Sequence, residues 1–146
     1  MKKNLILTVA LCLFISMSTL AKTYDITSYG AVPDGKTIAT QAINKAVTVC
    51  NAAGGGTVLV PAGTFLTGTI IMKNNVELYL ERGSTLLGST YYADYPLIQP
   101  TTYRSLKDIH GWASLIYADG AENIAVCGAG TIDGQGAAQQ GRPEYL

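Results

Sequence analysis

Three side chains stand out as candidates to move a proton: Asp108, His110 and Asp133. Asp108 and His110 could serve as general acid and base. Two residues apart, they share a face only in a strand, and the segment around them shows no strand alternation, so a surface loop is expected. Asp133 sits between Ile132 and Gly134, where an aspartate before glycine more often bonds nearby backbone in a turn. The aromatic set Tyr91, Tyr92, Tyr95, Tyr103 and Trp112 could stack on sugar rings, because aromatic faces offer wide contact with little entropy to lose. The same set could instead hold a long loop against the body of the fold. Glu77, Tyr79 and Glu81 alternate as an outward row on one strand, a solvated face whose charge would repel an acidic sugar. Cys50 and Cys127 each lie in an apolar stretch and are expected as separate buried thiols rather than a bridge. No metal-ligand spacing is present, so no metal or cofactor is expected, no residue is assigned a catalytic role, and the substrate-binding residues stay open.

The elements that would position these residues change period along the chain. Tyr24 to Tyr29 alternates as a strand and runs into the turn Val32-Pro33-Asp34-Gly35. Ala42, Ile43, Ala46, Val47, Cys50 and Ala53 recur at helical spacing, predicting a helix over Ile38 to Ala53 with Thr37 as its cap and Gly54 to Gly56 as its stop. Short strands follow: Thr57 to Val60, Thr64 to Leu66, Thr69 to Met72, Val76 to Leu80 and Thr85 to Leu87. In Val76 to Glu81 the alternation is strict, placing Val76, Leu78 and Leu80 inward. Hairpin turns of the Asn-Gly or Asp-Gly kind are missing between them, so a coil is expected rather than a meander. Asn75-Val76-Glu77-Leu78 with Gly83 and Gly88 recurs as Asn123-Ile124-Ala125-Val126 with Gly130 and Gly134, at offsets of 48, 47 and 46 residues. That offset fits two rungs of about 20 to 25 residues, or one rung plus an excursion, in a parallel solenoid. Ser89 to Trp112, with its prolines, tyrosines and no clean period, is the natural excursion.

Composition narrows the class. The 146 residues carry 10 basic and 10 acidic side chains, a net charge of zero, which disfavours a nucleic-acid partner. Lys2 and Lys3, the apolar run Leu5 to Ile15 and the polar stretch ending at small Ala21 have the layout of an export signal. The run is too short for a spanning helix, which needs roughly 20 apolar residues, so no stable membrane anchor is expected. Leu11 before Cys12, deep in the apolar run, argues against a lipoprotein. The expected organisation is a signal peptide over residues 1–21, cut before Lys22, and one domain over 22–146 in a secreted or periplasmic protein.

Taken together, Tyr29-Gly30-Ala31, Asp34-Gly35-Lys36-Thr37, Gly54 to Gly56, Val60-Pro61-Ala62-Gly63-Thr64-Phe65 and Leu66-Thr67-Gly68 resemble the start of the pectate-lyase-like superfamily. The stretch from Leu78 to Ser89, the turn Ala93-Asp94-Tyr95-Pro96 and Gly128 to Gly136 resemble, more narrowly, glycoside hydrolase family 28. This resemblance implies a right-handed parallel β-helix whose N-terminal end is capped by the helix Ile38 to Ala53. It also implies a polygalacturonase or rhamnogalacturonase acting on pectin by an inverting mechanism, in which two carboxylates stand about 6.5 to 9.5 Å apart to admit a water. The family's Asn-x-Asp, Asp-Asp, Gly-His-Gly and Arg-x-Lys signatures do not occur in this sequence. The expectation is therefore the first rungs of such a hydrolase, with this stretch alone inactive. A polysaccharide lyase on the same fold and a noncatalytic carbohydrate-binding or structural solenoid are the alternatives. The lyase commonly needs calcium, and no carboxylate cluster suited to that ion's many oxygen ligands is visible.

Overall fold

The computed structural model describes residues 22–98 and 113–139. Residues 1–21, expected as an export signal, and Tyr103, Asp108, His110 and Trp112 lie outside them. Among the described residues the chain forms β1 (Thr23–Asp25), β2 (Asp34–Ile38), α1 (Thr40–Ala52), β3 (Gly56–Val60), β4 (Gly63–Thr67), β5 (Ile70–Ile71), β6 (Val76–Leu80), β7 (Ser84–Gly88), β8 (Ile116–Tyr117), β9 (Ala125–Gly128) and β10 (Thr131–Asp133). Every strand pairing is parallel. Three sheets result: β1-β3-β6-β9, β2-β4-β7-β10 and the two-stranded β5-β8. Consecutive strands never pair with each other, so the chain visits the three sheets in turn and climbs one level per circuit. This is a right-handed parallel β-helix with one α-helix among the described residues, as the resemblance implied.

The register fixes the size of a rung. Val58 lies beside Leu78 and Phe65 beside Leu86, a step of 20 or 21 residues, whereas the next step takes Leu78 to Val126. The 48-residue repeat is thus one rung plus an excursion, and the excursion leaves after β7 and returns at β8, between the second sheet and the third. Asn75 and Asn123 mark the repeated corner. Both hold positive φ (60° and 53°), which asparagine tolerates better than most residues, and the Asn123 side-chain amide donates to Asn75 Oδ1 at 3.0 Å. Gly55 occupies the same corner one rung earlier, where any Cβ would run into the Asn75 carbonyl oxygen.

Alternation along each strand sends one row of side chains inward. Val58, Val60, Phe65, Val76, Leu78, Leu80 and Leu86 are buried, as the strict pattern of Val76 to Leu80 requires. Helix α1 adds Ile43, Ala46, Val47 and Cys50 to the same core. It stands where the first rung would place its third strand, and so faces the free edge of β5. That edge is satisfied by side chains: Asn44 Nδ2 donates to Thr69 O at 2.9 Å while Asn44 Oδ1 accepts from Ile71 N at 2.8 Å. Thr40 Oγ1 accepts from Gly68 N at 2.7 Å. The cap therefore covers apolar surface and pairs edge groups at once.

Several local expectations need correction. The helix starts at Thr40, not Ile38, and Thr37 does not cap it. The Asp34 carboxylate accepts from the Lys36 and Thr37 amides (2.8 and 2.7 Å) and from the Thr37 hydroxyl (2.7 Å), which commits residues 34 to 38 to β2. Those bonds, Thr37's first, hold the Asp34 carboxyl down to about 2. Tyr24 to Tyr29 is not one strand: Asp25 accepts from Thr27 N at 2.8 Å and turns Ile26–Tyr29 into a short 3-10 helix. Cys50 is buried, but Cys127 is exposed, because it lies on the outer face of β9, beside Tyr79. Both thiols are free.

Candidate functional site

The structure separates the candidate residues rather than gathering them. Asp133 closes β10, is exposed, and accepts from Gln135 N at 2.9 Å, the local turn bond expected of an aspartate before glycine. On the outer face of the first sheet, Glu77 is half-buried, Tyr79 and Glu81 are exposed, and Glu81 Oε2 accepts from Ala62 N at 3.2 Å. Glu77 also contacts the Cys127 thiol; partial burial first, and then this carboxylate, pushes that thiol above its ordinary value. Among the described residues no three His, Cys, Asp or Glu side chains come together as metal ligands would.

The best-built polar assembly lies where the excursion leaves the coil. Ser89 is buried, and its amide continues the ladder to Thr67 O at 2.8 Å. Its hydroxyl donates to Asp94 Oδ2 and accepts from Tyr91 N at 3.1 Å. Its carbonyl accepts twice, from the Tyr95 hydroxyl and from Gln139 Nε2, both at 2.8 Å. Gln135 Nε2 reaches Gly88 O at 2.6 Å. Burial, more than the nearby Asp94 charge, raises the Tyr95 phenol, while Gln139 opposes the shift. Asp94 in turn packs over Gly68, where a Cβ would collide with the Asp94 carbonyl oxygen. One turn thus ties the second, third and fourth rungs together at the root of the excursion. Gln139 was missed from sequence, because glutamine carries no periodicity of its own; Asp94 and Gln135 lay within the stretches that carry the resemblance, and Tyr95 was singled out both there and in the aromatic set.

This assembly also divides the aromatic set. Tyr95 is buried and anchors, Tyr92 is half-buried, and Tyr91 is 62% exposed. Tyr95 thus holds the excursion against the coil, as one of the two expectations for the aromatic set had it, while Tyr91 is left exposed.

Residues 23–110 match the family model described as rhamnogalacturonase A/epimerase, pectate lyase-like. The chain belongs to that family. Among curated relatives, the exo-poly-alpha-D-galacturonosidase of Dickeya chrysanthemi is 36% identical over 82% of this chain and 20% of its own length. Among solved structures, the family 28 exopolygalacturonase of Yersinia enterocolitica is 35% identical with a TM-score of 0.69, over 78% of this chain and 21% of that one. The hyperthermoactive exopolygalacturonase of Thermotoga maritima is 30% identical, also with a TM-score of 0.69, over 77% and 25%. The chain thus spans about a fifth to a quarter of the length of these relatives. Their likeness accounts for the shared coil.

Proposed function

We propose that this chain is the helix-capped beginning of an exported glycoside hydrolase that cleaves pectin, of the polygalacturonase or rhamnogalacturonan hydrolase type. The observation that carries the proposal is the pairing of family membership over residues 23–110 with relatives, 30 to 36% identical, that are named for galacturonan hydrolysis. Residues 1–21 act as the export signal, and the processed domain begins at Lys22. This fits the strand start at Thr23, and no helix among the described residues is long and apolar enough to cross a membrane. The substrate is a galacturonan or rhamnogalacturonan chain, and the roles of acid and base fall to carboxylates outside the described rungs.

The test is chemical. The product of the gene's whole reading frame should release reducing ends from polygalacturonan or rhamnogalacturonan without forming unsaturated uronate, and residues 22–146 alone should release none. Unsaturated products would move the reading to a lyase. Reading the frame past Leu146 should also reveal the Asp-Asp and Gly-His-Gly signatures. Mass spectrometry of exported material should find Lys22 at the N-terminus; intact Met1 in membranes would defeat the signal reading.

A further inference from the structure

We propose that Tyr91 is a sugar-stacking platform, set at the root of the excursion for the apolar face of a galacto-configured uronate ring. The proposal rests on the pectin reading above and adds a residue and a contact face to it. Tyr91 is the most exposed large hydrophobic side chain among the described residues, at 62%. Its backbone is nevertheless fixed on both sides: its amide donates to Ser89 Oγ at 3.1 Å, and its carbonyl accepts from Asp94 N at 3.1 Å. Beneath it lie the buried Ser89 and Tyr95, held in turn by Gln139. An aromatic side chain projecting from a fully bonded turn has little backbone entropy left to lose on binding, which is the condition under which ring stacking yields affinity.

The chemistry of the ring narrows the ligand. In a galacto configuration the hydrogens on C3, C4 and C5 share one face and form an apolar patch, with the axial 4-hydroxyl on the other side. Such a patch fits flat against a phenol ring. Gluco-configured rings lack it. The local charge also distinguishes Tyr91 from the other exposed tyrosine. Tyr79 stands between Glu77 and Glu81 on its strand, where a uronate would meet two carboxylates, whereas the Asp94 carboxylate near Tyr91 is half-buried and engaged by the Ser89 hydroxyl.

Saturation-transfer NMR with the 146-residue chain in its processed form and an α-1,4-linked oligogalacturonate tests this. Transfer should fall mainly on H3, H4 and H5 of the sugar, and affinity should drop about tenfold in Tyr91→Ala while Tyr91→Trp and Tyr79→Ala leave it within about twofold. Matching circular dichroism of the variants shows that the fold is kept. No transfer to the wild-type chain, transfer spread evenly over the ring, equal affinity for a gluco-configured oligomer, or an unchanged Tyr91→Ala would each overturn the platform. These outcomes leave the hydrolase reading untouched, since it stands or falls on reducing-end release by the whole protein.

Discussion

The first and last described rungs of this coil are built from the same kind of strand and differ in what covers them among the described residues. At the first rung, α1 lays Ile43, Ala46, Val47 and Cys50 on the core, and Asn44 pairs the free edge of β5. At β9 and β10 the inward row continues in register, with Val126 beside Leu78 and Ile132 beside Leu86. Leu78 and Leu86 are fully buried, whereas Val126 and Ile132 are each 45% exposed. Nothing in the residue types separates these pairs. Burial in a solenoid is conferred by the neighbouring rung, so a side chain can face inward and still be wet.

The strongest way to break this comparison is to truncate matched residues across one register pair. Leu86→Ala removes a buried side chain and should cost about 2 to 5 kcal/mol. Ile132→Ala, one rung on in the same row, should cost less, about 1 kcal/mol, because the side chain is already 45% exposed. Urea unfolding of both variants measures the two directly, and equal losses would show that the far rung is packed as tightly as the third. A smaller effect belongs to the cap. Asn44→Ala leaves the Thr69 carbonyl and the Ile71 amide without their partner and should cost about 1 to 3 kcal/mol. Asn44→Asp restores the acceptor for Ile71 N but not the donor to Thr69 O, so it should fall between wild type and Asn44→Ala. A neutral Asn44→Ala would mean that α1 caps by apolar cover alone.

What was legible in the sequence follows the same division. Val76, Leu78 and Leu80 were placed inward from alternation, and the structure buries all three, because period two is a local property of a strand. The glycine stop of the helix was legible for the same reason: Gly55 N returns to Cys50 O at 2.9 Å. The helix start was misplaced because Thr37 has the chemistry of a cap, while Asp34, three residues earlier, claims both its amide and its hydroxyl. Cys127 was misjudged because Ile124 to Cys127 is apolar throughout, and an unbroken apolar run does not say which face is covered. Of the candidate site, Asp133 was read correctly as a turn, while the Ser89 assembly depends on contacts some 50 residues apart that no spacing rule reaches.

The two cysteines turn the contrast between ends into a rate measurement that needs no change in stability. Cys50 lies on the buried face of the capping helix and should react with a thiol reagent only when the fold opens, so its labelling rate should track the unfolding equilibrium in urea. Cys127 is exposed and should react in the native protein at once. Its rate should not match that of a small thiol, because only the thiolate attacks and both partial burial and the Glu77 carboxylate disfavour that form. The sign follows directly: a raised pKa leaves less thiolate at neutral pH, so the rate keeps climbing past the pH at which an ordinary cysteine, near 8.5, levels off. Glu77→Gln removes the repelling charge, lowers the thiol pKa and should speed labelling about twofold or more at pH 7.5, with little change at high pH where the thiolate is already formed. If Cys127 instead labels only on unfolding, a covering layer lies over the outer face of β9.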